Sequence, residues 1–71
     1  MRMLVLFDLP TETSVDRRNY RRFRKLLVDN GFLMMQESVY CKLLMNSTAQ
    51  NAMAEIIRRG KPPKGIIQML T

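Results

Sequence analysis

Apolar side chains crowd the start of the chain, where Met3, Val5 and Phe7 interleave with Leu4 and Leu6 before the run stops at Asp8-Leu9-Pro10. Such a run predicts a strand over Met1 to Asp8, ended where Pro10 has no amide hydrogen to give to a sheet ladder. The period then lengthens. Winding residues 15 to 29 at about 100° per residue gathers Tyr20, Phe23, Leu26 and Leu27 on an arc roughly 120° wide, which predicts an amphipathic helix. Thr11 to Ser14 supply capping hydroxyls, Thr13 and Asp16 approximate a capping box, and Asp29-Asn30-Gly31 closes the helix. Phe32 to Leu44 is rich in β-formers but too long for one strand, so it divides near Gln36-Glu37 into strands over 32–35 and 38–44. Asn46-Ser47-Thr48 caps a second helix whose expected apolar stripe is Ala49, Ala52, Met53, Ile56 and Ile57, with Gly60 as its stop. Lys61 to Gly65 reads as a turn and Ile66 to Thr71 as the last strand; no repeat, low-complexity tract or linker interrupts the series.

The order β-α-β-β-α-β predicts an α+β, ferredoxin-like sandwich: a four-stranded antiparallel sheet with both helices on one face, one domain over 1–71. The uncovered face of such a sheet is polar in a monomer. Here whichever of the two interleaved sets in the first strand meets the helices, the other leaves an apolar patch, and Val39, Cys41 and Leu43 repeat the pattern in the third strand. A patch of that kind marks an interface, and a twofold homodimer through the open sheet face is expected.

Charge changes the picture most in the first helix. Six of the twelve cationic residues, Arg17, Arg18, Arg21, Arg22, Arg24 and Lys25, fall within nine positions and spread over the arc that the apolar residues leave free. Arginine's planar fork suits paired phosphate oxygens, so this arc is a candidate surface for a nucleic-acid backbone rather than a merely solvated face. The net charge of +6 and pI near 10.3 favour an anionic partner. An acidic membrane is the alternative, disfavoured because the four apolar residues of that helix are needed for the core. No apolar run approaches the ~20 residues of a membrane span, and the N-terminus lacks the regions of a signal peptide. A lone Cys41 and no histidine exclude an internal disulfide and argue against structural zinc. A soluble cytoplasmic protein is expected.

Asp8 is the candidate for chemistry. It ends an apolar strand at the rim of the sheet, where active-site acids often sit and where an aspartate equally often caps a turn. Mg²⁺ takes one or two carboxylates plus waters and substrate phosphates. If a dimer axis passes near the strand ends, Asp8 of both subunits would share one such ion over a phosphodiester, with no histidine base required. Glu12 and Glu37 are secondary candidates, and Ser38 and Cys41 have no visible base to make either a nucleophile.

The segments Met1-Arg-Met-Leu-Val-Leu-Phe-Asp-Leu-Pro10 and Gly31-Phe-Leu-Met-Met-Gln-Glu-Ser-Val-Tyr-Cys-Lys-Leu-Leu44, with the basic helix between them, resemble CRISPR-associated protein 2, most closely the version of type II systems. The resemblance covers essentially all 71 residues. It implies a ferredoxin-like homodimer that bridges two dimers of the integrase, CRISPR-associated protein 1, during spacer acquisition and contacts the backbone of double-stranded DNA. It also implies a metal-dependent endonuclease on RNA or DNA that uses the aspartate matching Asp8, with Phe7, Ser38 and Tyr40 at motif positions near that site. Members usually continue past the fourth strand with a tail strand that pairs with the partner subunit, which is absent from 1–71.

Three functions therefore compete: a DNA-binding scaffold using the basic helix, a metal-dependent phosphodiesterase centred on Asp8, and an RNA-binding or RNA-cleaving module of the same topology. A pure RNA-recognition module would stack bases on aromatics of the central strands. Phe7 and Tyr40 are the residues on offer for that, without the Lys/Arg-Gly-Phe/Tyr-rich signature.

Overall fold

A computed structural model describes residues 1–71. The elements follow the order β1 (Arg2–Asp8), α1 (Ser14–Asp29), β2 (Leu33–Gln36), β3 (Val39–Leu43), α2 (Ser47–Gly60) and β4 (Ile66–Leu70). All four strands form one antiparallel sheet in the order β2-β3-β1-β4, the expected ferredoxin-like arrangement. Bonds just outside the strands lengthen the central ladder at both ends. The Phe7 amide donates to the Ser38 carbonyl at 3.1 Å, and the Leu44 amide donates to the Met1 carbonyl at 2.7 Å.

Register decides which side of β1 meets the helices. Met3, Val5 and Phe7 are buried with Phe23 and Leu27 of α1 and Met53 and Ile57 of α2. Phe7 is the hub. Its ring meets Tyr20 and Phe23 edge-on at 5.6 and 5.2 Å and stacks on Tyr40 at 5.7 Å. The aromatic contacts add to area burial and lock this face inward. The alternate positions, Leu4, Leu6 and Asp8, therefore look out on the uncovered face, in register with Cys41, Val39, Leu70, Gln68 and Ile66. That face is as apolar as the sequence implied: Leu4 and Leu6 are only half-buried, and Leu33, Leu43 and Ile66 are exposed.

Local chemistry sets the helix ends. The Thr13 hydroxyl accepts from the Asp16 amide while the Asp16 carboxylate accepts from the Thr13 amide, a complete capping box. At the far end Gly31 takes φ +88°, its amide donates to Val28, and the Phe32 amide donates to Leu27. These two bonds form a Schellman motif, with buried Phe32 packed by the last turn. Phe32 is thus a helix-terminating residue, which is why β2 begins one position later than the composition suggested. Asn46 caps α2 through Ala49 as expected.

Two features of α2 differ from the expectation. Its inward stripe is Ala49, Gln50, Met53, Ala54 and Ile57, whereas Ala52 and Ile56 are exposed. The helix is rotated so that the small Ala54 lies against the core. Gly60 is not a left-handed stop either, since it remains helical and Lys61 follows at φ −68°, ψ 142°. Pro62 imposes that extended conformation on Lys61 and ends the helix. Gly60 serves packing instead: a Cβ there would lie 2.4 Å from Leu26 Cδ2 of α1.

Candidate active site and nucleic-acid interface

The strand parity that buries Phe7 delivers Asp8 to the open face, at the last position of β1 and beside Ile66 of β4. The residue is exposed, and its carboxylate takes part in no hydrogen bond or ion pair within the chain. It is therefore no turn cap: its oxygens remain available to a ligand. A shallow recess of about 350 Å³ lies over it, lined by Leu6, Phe7, Ser38, Val39, Ile66 and Gln68 as well as Asp8 itself. Behind it, Gly65 at φ +101° lets β4 start so close that a Cβ would stand 2.7 Å from the Asp8 carbonyl oxygen.

Of the motif residues that the resemblance places near Asp8, only Ser38 presents a side chain that the geometry leaves at the rim. It occupies the β2–β3 turn at φ 69°, and its hydroxyl stands 3.5 Å from that of Tyr20. Phe7 and Tyr40 are buried beneath the helices. Neither ring can stack on a base, which removes the aromatic platform of an RNA-recognition module; their part is to fix the strands that carry Asp8 and Ser38. Glu12 and Glu37 are exposed in the flanking loop and turn. Cys41 lies half-buried on the open face, in register with Leu4 and Leu33.

No three His, Cys, Asp or Glu side chains converge anywhere in the chain. A cation at Asp8 would therefore meet fewer than three such groups of one chain. That would suit an open, largely hydrated Mg²⁺ site completed by waters and phosphate, and does not suit a closed protein cage.

The six cations of α1 are all exposed, opposite buried Phe23 and Leu27. They are not equivalent. Arg17 donates to the carbonyls of Thr11 and Glu12 at 3.3 and 3.1 Å, tying down the loop that follows Asp8. Lys25 pairs with Asp29 at 2.7 Å. Arg18, Arg21, Arg22 and Arg24 have no carboxylate partner, which leaves four uncompensated guanidinium groups on one helix. Helix α1 carries no basic residue in its last turn, where the backbone dipole favours one. Lys42 of β3 supplies it, donating to the Asn30 carbonyl at the cap.

The sequence pattern of the family described as CRISPR associated protein Cas2 matches residues 1–71. The chain belongs to the Cas2 family. Relatives named CRISPR-associated endoribonuclease Cas2 include one from Streptococcus mutans serotype c, 49% identical over 71 residues, which are 100% of this chain and 65% of that protein. Another, from Lacticaseibacillus rhamnosus, is 51% identical over 99% of this chain and 69% of its own length. A third, from Treponema denticola, is 46% identical over 100% of this chain and 70% of its own length. The chain thus spans about two thirds of the Cas2 relatives it matches. No helix of this Cas2 chain is long and apolar enough to cross a membrane.

The sequence missed one group. Arg58 and Lys61, read as a helix end and a turn, line a second recess of about 580 Å³ at the α2–β4 connection. The available signal was the dense Arg58-Arg59-Gly60-Lys61-Pro62-Pro63-Lys64 run.

Proposed function

We propose that the chain acts in CRISPR adaptation as a metal-dependent endoribonuclease, in which two copies join through their open sheet faces and contribute one Asp8 each to a shared Mg²⁺. The observation that carries this reading is an exposed, unpartnered carboxylate at the rim of an apolar sheet face. Between the RNA and DNA substrates that the residues leave open, the names of the relatives favour RNA. The ion, when bound, supplies Lewis-acid stabilisation of a phosphodiester and a hydroxide at neutral pH. Asp8 would hold it, Leu6, Val39 and Ile66 line the recess around the carboxylate, and Arg17 keeps the following loop in place. Asp8→Asn is expected to abolish Mg²⁺-dependent cleavage of RNA while leaving RNA affinity equal or higher, since a repelling charge is removed. Equal cleavage by the variant and the parent would overturn the assignment.

A second reading rests on a different observation, the four unpaired arginines of α1. They suit a scaffold in which the cytoplasmic homodimer grips the backbone of double-stranded DNA and bridges dimers of the CRISPR-associated protein 1 integrase. Bridging and hydrolysis use separate surfaces and are separable by mutation.

A further inference from the structure

Four cations outside α1, Arg58, Arg59, Lys61 and Lys64, cluster at the α2–β4 connection, where Glu55 is the one acidic side chain between residues 55 and 71. Glu55 pairs with Arg58 at 3.5 Å and with Arg59 at 3.2 Å, so one acid is divided between two guanidinium groups and neither lysine has an acidic partner. Over residues 55–71 the excess is +3, four cations less one anion, with Asp16 of α1 bordering a small cleft beside Lys64. Arg58 and Lys61 border the recess of about 580 Å³, whose remaining wall includes Pro62, Pro63, Ile66 and Ile67. That volume falls in the roughly 300–1,000 Å³ range of sites that hold a small organic molecule.

Position relates this recess to the proposed chemistry. Ile66 lines both this recess and the one over Asp8, so the two are neighbours. Gly65 holds the pair together, because only a residue without a Cβ lets the loop press on the Asp8 carbonyl. A polyanion whose reacting phosphate lies at Asp8 meets a carboxylate there, and this cluster, across Ile66, offers compensating positive charge. A mixed wall, two prolines and two isoleucines with cations at the border, suits an unpaired nucleotide: the base covers proline and isoleucine while its phosphate meets Arg58 and Lys61. A duplex keeps its bases stacked inside and offers only its phosphates.

We propose that the α2–β4 recess is a subsite for one unpaired nucleotide of single-stranded RNA, adjoining the phosphodiester addressed by Asp8. The subsite deepens the endoribonuclease reading and rests on it for its place beside the reacting bond, but its occupancy is tested by binding alone. Anisotropy of a labelled oligouridine is measured with the full chain and with Arg58→Gln/Lys61→Gln, each also in an Asp8→Asn background so that cleavage plays no part. Removing the two cations that meet one single-strand phosphate, worth about 0.7 in the slope of log K on log salt, is expected to lower that slope by about 0.7 and weaken binding about fivefold at about 0.1 M salt. An abasic ribonucleotide strand is expected to lose affinity for the parent but not for the double variant. An unchanged slope in the double variant, an equal loss for duplex RNA, or full affinity for the abasic strand overturns the subsite. Failure of Asp8→Asn to stop cleavage would instead overturn the catalytic reading while leaving these binding results in place.

Discussion

Gly65→Ala tests how tightly the start of β4 is held against the candidate catalytic carboxylate. The added Cβ would stand 2.6 Å from Leu9 Cδ2, 2.7 Å from the Asp8 carbonyl oxygen and 3.1 Å from the Leu9 Cα. Two of these three obstacles are backbone atoms, so a rotamer change cannot relieve the overlap. The residue also sits at φ +101°, where an L side chain is strained. Backbone strain of about 1–3 kcal/mol and overpacking of about 1–3 kcal/mol together give a loss of roughly 4 kcal/mol. A 71-residue domain holds only about 4–11 kcal/mol in total. At about 4–8 °C per kcal/mol for a domain of this size, the melting temperature is expected to fall by more than about 15 °C. Gly60→Ala is the internal control. Its Cβ meets Leu26 Cδ2 at 2.4 Å, a shorter distance, but the obstacle is the end of a half-buried side chain and the glycine is helical. Leu26 can turn aside, and the gain in helix propensity of up to about 1 kcal/mol offsets the repacking. Circular dichroism melts at one fixed protein concentration compare the two variants, with the amide resonance of Asp8 as the local probe. A Gly65→Ala protein that melts with the parent, or a Gly60→Ala protein that is the less stable of the two, would refute the reasoning.

The open sheet face gives a second expectation. Leu6→Glu places a charge among Leu4, Val39 and Ile66, and a twofold interface carries the change twice; at about 1.5–3 kcal/mol per lost leucine, dimer affinity should fall about a thousandfold. Light scattering that finds parent and variant alike in mass refutes the sheet-face dimer. For the basic helix, Arg18→Gln/Arg22→Gln should lower the salt slope of duplex DNA binding by about 1.8, at about 0.9 per phosphate. It should also prevent co-elution with the integrase on a short duplex, and leave RNA cleavage intact; an unaltered slope removes α1 from the DNA contact.

Much of the architecture was legible because the signals were local. The capping box at Thr13 and Asp16, the glycine after α1 and the apolar run of β1 each specify one element through atoms a few residues apart. The candidate site was legible only in part. Asp8 stood out by ending an apolar strand, but Met3, Val5 and Phe7 are no more hydrophobic as a set than Leu4 and Leu6. Which face Asp8 occupies was settled by tertiary contact, the three aromatic neighbours of Phe7. The rotation of α2 was hidden for the same reason: Ala52 and Ile56 read as core residues at least as well as Gln50 and Ala54, and only the space left by α1 and the sheet distinguishes them. The recess beside Asp8 was out of reach because Ile66 joins Arg58 and Lys61 to the end of a strand nearly sixty residues earlier.

The layering of the sandwich assigns different tasks to its two positive surfaces. Sheet and helices form two layers, and Asp8 looks out from the sheet side. Arg18, Arg21, Arg22 and Arg24 lie on the arc of α1 opposite the buried Phe23 and Leu27, so they face outward from the helix layer. Those four groups therefore belong to the other layer from Asp8, and exposed charges farther apart than the Debye length of about 8 Å are largely screened at physiological salt. On the proposed readings, the strand that α1 would bind need not be the one that Asp8 would address. Arg17 is the exception in the cluster, and it is already committed to the loop after β1. The α2–β4 connection, whose recess shares Ile66 with the one over Asp8, offers that site a separate source of positive charge. Separate surfaces allow one polyanion to be carried on the helix layer while another is processed on the sheet face, and predict that loss of the α1 arginines and loss of Asp8 give different defects.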